Sequence, residues 1–148
     1  MNEQTIGLAC DHAGYQTKQL VIEILQSKGI AFQDFGCYSE ASCDYADPAH
    51  ALGNAIDEKT LNRGIALCGS GNGINMTLNK HQSVRSALCW TEEIARLARE
   101  HNDANVLVLP ARFIDNETCT AIVEAFLNTD FEGGRHEARI NKIPLQAL

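Results

Sequence analysis

The stretch that decides the fold is Arg63-Gly-Ile-Ala-Leu-Cys68, followed directly by Gly69-Ser-Gly-Asn-Gly73. The first part is mostly apolar and does not alternate with polar residues, as expected for a strand buried on both faces of a parallel sheet. The second part combines glycines with a hydroxyl and an amide, which is typical of a tight loop before a helix. A buried strand that runs into a glycine-rich loop predicts an α/β fold.

Similar short apolar runs lie on both sides of this strand. They are Thr5–Cys10, Ala31–Phe35, Arg85–Cys89 and Asn105–Leu109. Segments with apolar residues at helical spacing separate these runs, and the first such segment is expected to stop at Gly29. The alternation predicts one domain over residues 1–148, built as a three-layer, Rossmann-like α/β/α sandwich around a five-stranded parallel sheet.

Three further helices are marked by the residues at their starts. Asp47 followed by Pro48 is typical of a helix cap and a first-turn proline. Thr91 and Asp115 are expected to cap two later helices. In the helix after Thr91, the apolar stripe continues to His101, so we expect the His101 ring to point inward.

Composition excludes several classes of protein. The chain has 148 residues, of which 45% are hydrophobic, and a formal net charge of −7. Nucleic-acid binding needs an excess of clustered basic charge, which is absent. No apolar run approaches the roughly 20 residues that span a bilayer, and the first ten residues do not resemble a secretory signal. We therefore expect a soluble cytoplasmic protein that binds neither nucleic acid nor membranes.

The six cysteines form no CxxC pair and no regular disulfide framework. Cys37, Cys43 and His50 are too loosely spaced for a zinc site, so we expect no bound metal. Cys10 and Cys89, like Cys68, end apolar runs and are expected to be buried.

Ligands of a parallel α/β sheet bind beyond the carboxyl ends of its strands. Two predicted strand ends carry most of the chemistry, namely Asp11-His12 and the loop 69–73. Such a loop can aim several N–H groups at an anion, or it can be only a tight turn. A dinucleotide loop would follow the first strand, which argues against NAD. Asp11 and His12 can contact sugar hydroxyls, whereas Asp11 alone can also cap a helix.

Cys68 directly precedes the loop, where a helix N-terminus favours the thiolate form. It can act as a base or nucleophile, or be a buried residue at a strand end. His101 near the end of its helix can be a core residue or a functional one, and Asn102 fits a left-handed cap. Arg135 and Arg139, four residues apart, can bind a dianion such as phosphate or lie on a solvated tail helix.

Together these features resemble the type B ribose-5-phosphate isomerase family, which includes the subunits of galactose-6-phosphate isomerase. The resemblance covers nearly the whole chain. It is carried by separate motifs in the same order: CDHAG (10–14), DYAD (44–47), CGSGNG (68–73), NK (79–80), REHNDANVL (99–107) and GGRHEARI (133–140).

The resemblance implies an aldose–ketose isomerase that needs no metal or cofactor and acts on a sugar phosphate through a cis-enediolate. Cys68 would move the proton between carbons 2 and 1, while the loop amides and the Ser70 hydroxyl stabilise the enediolate. His101 would open the sugar ring with help from Asp11. The implied substrate-binding residues are His12, Tyr45, Gly69, Gly71, Asn72, Gly73, Asn102, Arg112, Arg135 and Arg139.

In this family the pocket lies between subunits, which implies a homodimer or a dimer of dimers. The region around His101 and Arg112 would face the partner's glycine loop. Some relatives use a glutamate directly after the last loop glycine as the base. Ile74 occupies that position here and cannot titrate, so Cys68 is favoured as the base. Ser70 replaces the usual threonine, and Asn72 is more typical of the glutamate-type loop.

The leading hypothesis is interconversion of D-ribose 5-phosphate and D-ribulose 5-phosphate. The same chemistry would serve an isomerase of a hexose phosphate, such as galactose or allose 6-phosphate, or of a tetrose phosphate. A non-catalytic sugar-phosphate-binding module is a further alternative, although binding alone needs neither Cys68 nor His101.

Overall fold

A computed structural model describes residues 4–146 and contains all five predicted strands. These are β1 (Ile6–Cys10), β2 (Phe32–Asp34), β3 (Arg63–Cys68), β4 (Ser86–Leu88) and β5 (Val106–Pro110). They form one parallel sheet in the order β2-β1-β3-β5-β4. The glycine loop therefore follows the central strand, and Cys68 pairs in register with Pro110 of β5.

Helices cover both faces of the sheet. They are α1 (Tyr15–Ser27), α2 (Ala46–Asp57), α3 (Asn72–Leu78), α4 (Glu92–Asn102), α5 (Asn116–Asn128) and α6 (Arg135–Ile140), with a short 3-10 turn at His12–Gly14. Buried apolar residues of α1, α4 and α5 pack on one face, and those of α2 and α3 pack on the other. The predicted three-layer α/β/α fold is confirmed.

Among residues 4–146, no helix has both the length and the apolar character needed to cross a membrane.

The predicted helix ends are mostly confirmed. The Thr91 side chain accepts from the amide of Ile94, and Asp115 caps α5 in the same way. Gly29 follows α1 with a φ of +67°.

Two predictions at helix ends are wrong. Asp47 is not a cap, because α2 already begins at Ala46 and no side chain caps it. Pro48 is the third helical residue. Its missing N–H costs nothing there, because the amides of the first turn have no acceptor within the helix. The left-handed residue after α4 is Asp103, with a φ of +46°, whereas Asn102 is the last helical residue.

The cysteines are buried where expected, but two of them pair. Cys10, Cys68 and Cys89 are free and buried, as predicted. Cys37 and Cys43 form a disulfide with their Cα atoms 6.7 Å apart, which the spacing of the cysteines did not predict. The buried Lys18 ammonium donates to the carbonyl of Cys37 and so holds the start of the segment 37–43.

Lys18 Nζ donates to Asp34 Oδ1 at 2.8 Å and to the carbonyl of Cys37 at 2.5 Å. Its side chain is fully buried, so this pair of acceptors satisfies a charge that would otherwise be costly inside the protein.

Candidate active site

The carboxyl edge of the sheet brings three strand ends together. The Asp11 amide donates to Leu67 O at 3.2 Å, which joins the end of β1 to the end of β3. The Arg112 amide donates to Gly69 O at 3.0 Å, which joins the segment after β5 to the glycine loop. A Cβ atom placed on Gly69 would lie 3.3 Å from both Cδ and Nη1 of Arg112. The guanidinium of Arg112 therefore lies directly beside the loop.

The loop itself has the geometry that its glycines suggested. Gly71 has a φ of +80° and directly precedes α3, and a Cβ atom there would lie 2.4 Å from the Leu88 side chain. The amide of Asn72 donates to Ser70 Oγ at 3.2 Å, and the Ser70 side chain is exposed. The first amides of α3 have no acceptors within the helix, so this end of the loop favours negative charge.

Cys68 is distinguished from the other free thiols that the structure describes. It is the last residue of β3 and packs on the face covered by α2 and α3, 5% exposed. Cys10, Cys89 and Cys119 pack on the opposite face. Burial raises the pKa of Cys89 to about 12 and that of Cys119 to about 11. Burial also raises the pKa of Cys10, against a smaller opposing effect of Lys18.

His12 is held in one tautomer by a backbone contact. Its Nδ1 accepts from the amide of Cys43 at 3.3 Å. In a neutral ring this places the proton on Nε2, which leaves a donor for an anionic ligand. The disulfide-bonded segment 37–43 thus orients a predicted substrate-binding residue.

Tyr45 and Asp11 complete the group at this edge. The Tyr45 ring lies over Gly73, where a Cβ atom would approach the ring within 2.4 Å, and Tyr45 is 42% exposed. Asp11 Oδ1 accepts from the amide of Gly14 at 3.0 Å, so Asp11 does cap the turn after β1. The cap uses only one carboxylate oxygen of Asp11. The other oxygen can still contact a sugar hydroxyl, so capping and substrate contact are compatible.

The other predicted site residues lie elsewhere. The helix α4 connects β4 to the parallel strand β5, so it runs back across the sheet and ends at the amino edge. Arg85, just before β4, confirms this placement because its Nε donates to the carbonyl of Asn102 at 3.1 Å. The five residues of β5 span roughly 13 Å between the two edges. Within one chain, His101 and Asn102 are therefore separated from Cys68, whereas Arg112 lies beside the loop of its own chain.

The prediction that His101 points into the core is wrong. The buried residues of α4 are Ala95, Ala98 and Arg99, and the His101 side chain is 40% exposed. It stacks instead on His136 of α6, with ring centroids 4.4 Å apart and an interplanar angle of 14°. The apolar stripe of α4 predicted a buried ring. His101 lies at the edge of that stripe, where it contacts α6 and not the sheet.

The C-terminal helix forms as predicted. Arg135 and Arg139 both lie on α6 and are exposed. Glu132 was not predicted as a site residue, yet its Oε1 lies 3.5 Å from Nε2 of both His101 and His136. Only the spacing of Glu132 and His136, four residues apart, could have suggested their contact.

Several known proteins are similar to this chain in both sequence and fold. The ribose/galactose isomerase family model matches residues 6–143. Ribose-5-phosphate isomerase B of Escherichia coli is 35% identical over 138 residues, which cover 93% of each chain. The crystal structure of a ribose 5-phosphate isomerase from Thermotoga maritima has a TM-score of 0.93 and 45% identity, and the match covers 97% of this chain and 99% of that one.

Ribose-5-phosphate isomerase B from Mycoplasma genitalium, solved with bound ribulose-5-phosphate, has a TM-score of 0.89 and 39% identity, with coverage of 94% of this chain and 93% of its own. These similarities agree with the motifs at 10–14, 68–73 and 133–140. The chain therefore belongs to the ribose/galactose isomerase family and is a sugar phosphate isomerase.

Proposed function

We propose that this protein interconverts D-ribose 5-phosphate and D-ribulose 5-phosphate through a cis-enediolate, with Cys68 as the base. The observation that carries the proposal is the position of Cys68, a free thiol between the core and a glycine loop that favours negative charge. The ribulose-5-phosphate bound to the Mycoplasma genitalium relative supports the choice of a pentose phosphate.

In the forward reaction the Cys68 thiolate takes the proton from carbon 2 of the open-chain aldose. The electrons of the broken C–H bond form the C1–C2 double bond, and the carbonyl electrons move to O1 to give the enediolate. The thiol then returns the proton to carbon 1, while the O2 proton passes to O1 and leaves a carbonyl at carbon 2. One general base serves both half-reactions, a role that contributes about 10²–10⁴-fold to rate.

The loop stabilises the charge that develops on oxygen. The amides between Gly69 and Gly73 and the Ser70 hydroxyl act as the oxyanion hole, with the Arg112 guanidinium beside Gly69 adding positive charge. His12 donates from Nε2 to the substrate, and Tyr45 and Asp11 line the pocket. No step requires a metal or a cofactor.

The remaining functions come from a second copy of the chain. His101 opens the furanose ring, Arg135 and Arg139 hold the phosphate, and Asn102 lines the pocket. Because these residues lie at the opposite edge of the sheet from Cys68, a complete site takes them from a partner, in a homodimer or a dimer of dimers. Exposed apolar residues near the carboxyl edge support an interface there: Met76, Trp90 and Phe113.

A panel of aldose phosphates, assayed with a chelator present, tests the substrate and the absence of a metal requirement. We expect ribose 5-phosphate to give the highest kcat/KM, and the chelator to have no effect. Faster turnover of a hexose or tetrose phosphate would overturn the assignment of ribose 5-phosphate as the substrate. Heat protection by sugar phosphates without any turnover would instead favour a binding module.

A Cys68→Ala variant tests the base. Turnover should fall by about 10²–10⁴-fold because the other described free thiols pack on the opposite face of the sheet and cannot replace Cys68. Binding of ribose 5-phosphate, measured by calorimetry, should remain. Cys89→Ala is the matched control, since Cys89 is also a buried strand-end thiol but packs on the other face. A Cys68→Ala enzyme that turns over at the wild-type rate would refute the assignment.

A further inference from the structure

His101, Glu132 and His136 form a compact cluster at the amino edge of the sheet. Nε2 of each histidine lies 3.5 Å from Glu132 Oε1. The stacked rings direct both nitrogens toward this one carboxylate, and the three candidate ligand atoms all lie within 4.8 Å of one another. The His136 side chain is only 9% exposed, whereas those of His101 and Glu132 are accessible to solvent.

Two imidazole nitrogens and one carboxylate oxygen are the protein ligands of zinc sites that keep an open fourth position. With metal–ligand bonds of about 2.1 Å, neighbouring ligand atoms of a tetrahedral site lie about 3.4 Å apart. The two 3.5 Å separations already match that spacing. A metal ion must lie in the plane of each imidazole that binds it, so the stacked His101 ring has to rotate away from His136 for both Nε2 lone pairs to reach one ion. Both Glu132 and His101 are exposed enough to move.

The backbone holds these ligands near one another. The Glu132 amide donates to Glu100 O at 3.0 Å, which ties the segment before α6 to the last turns of α4. The His136 amide donates to Gly133 O at 3.1 Å. The cations Arg135 and Arg139 oppose a bound metal ion, but both are exposed and can turn away. The backbone thus keeps the three residues close together, and the exposed His101 ring is the part that has to reorient for binding.

We infer that His101, Glu132 and His136 form an inhibitory site for Zn²⁺ and related divalent transition-metal ions. Binding depends only on this cluster. Inhibition rests on the proposed function, in which the His101 imidazole exchanges a proton with the sugar ring. A metal ion on Nε2 of His101 occupies the lone pair needed for that exchange, so the loaded enzyme cannot open the ring.

Titration of the metal-free protein with Co²⁺, followed by visible absorption, measures binding without any reference to activity. We expect the d–d bands of a four-coordinate site without thiolate charge transfer, and displacement of Co²⁺ by Zn²⁺. Glu132→Gln and His136→Gln should each weaken binding by at least roughly tenfold, since loss of even an outer-shell partner costs about 10–100-fold. The control is His50→Gln, which removes an exposed histidine outside the cluster and should bind Co²⁺ like the wild type.

The isomerase assay then tests inhibition separately. Zn²⁺ should lower the rate, a chelator should restore it, and Glu132→Gln should shift the inhibitory concentration by the same factor as its Co²⁺ affinity. Absence of the Co²⁺ spectrum, or equal affinity in Glu132→Gln and wild type, would overturn the site. Zn²⁺ inhibition that persists in Glu132→Gln would overturn its assignment to this cluster. If the protein lacked isomerase activity, the proposed function would fail while the Co²⁺ result still decided the site.

Discussion

We expect the reactivity of each free thiol to follow from its place in the fold. Cys10, Cys89 and Cys119 are fully buried, and burial raises the pKa of each of them. Thiolates, not thiols, react with alkylating agents, so these three cysteines are protected twice, by exclusion of the reagent and by protonation. Cys68 is 5% exposed at the loop.

We therefore expect iodoacetamide at about pH 8 to modify Cys68 before the other three free cysteines. Peptide mass spectrometry of the non-reduced protein measures the order, and ribose 5-phosphate should slow labelling of Cys68 alone. Earlier modification of Cys89 or Cys119 would contradict this account of the thiols.

Two separate effects disfavour a side chain at position 71, namely the backbone conformation and the space available. The φ of +80° at Gly71 strains any residue with a side chain, and a Cβ atom would also collide with Leu88 at 2.4 Å. Gly29 has a similar φ of +67° but faces open space. Gly29→Ala should reduce the free energy of unfolding by about 1–2 kcal/mol. Gly71→Ala should cost about 0.5–1.5 kcal/mol more, because the half-buried Leu88 side chain has to leave its rotamer to make room. Equal losses in urea unfolding would show that Leu88 does not constrain the loop.

At the scale of elements, a hydrogen-bonded chain connects the end of α2 to the turn after α3. Asp57 accepts from His81 Nδ1 at 2.9 Å and from the Ser83 amide at 2.8 Å, and His81 Nε2 lies 2.8 Å from His50 Nδ1. Burial alone would raise the pKa of Asp57, but the hydrogen bonds from Ser83 and His81 outweigh it and lower the pKa. The helix that carries the loop is thereby fixed against α2.

Asp57→Asn should lower the free energy of unfolding by about 1–2 kcal/mol at neutral pH. A carboxylate with a depressed folded-state pKa contributes stability above its unfolded pKa of about 3.9, and that stability is lost as pH falls through the folded value. The difference between variant and wild type should therefore shrink in acid. Glu58→Gln, an exposed neighbour, is the control and should change little at any pH. A difference that stays constant down to about pH 2 would contradict the assignment.

The elements were largely predictable because their signals are local. The run Arg63–Cys68 is a strand with those same bounds, and Thr91 and Asp115 cap helices as their types indicate. The features that the sequence did not reveal depend on distant neighbours. The orientation of His101 is set by His136, thirty-five positions away, and burial of Lys18 is set by Asp34 and the Cys37 carbonyl. No local pattern distinguishes Lys18 from an exposed lysine.

At the scale of the whole molecule, the sheet separates two groups of polar residues. Cys68, the glycine loop and Arg112 lie at the carboxyl edge, whereas His101 and α6 lie near the amino edge. A strand of fixed rise cannot bring these edges together within one chain. The proposed site therefore needs a symmetric assembly in which each chain supplies its amino-edge group to the carboxyl edge of another.

The most direct test uses a heterodimer of Cys68→Ala and His101→Gln chains, purified by different tags on each chain. Either parent alone should be nearly inactive. In the heterodimer, one of its two sites receives Cys68 from one chain and His101 from the other, so it should recover about half of the wild-type activity. A heterodimer as inactive as both parents would contradict a site shared between chains.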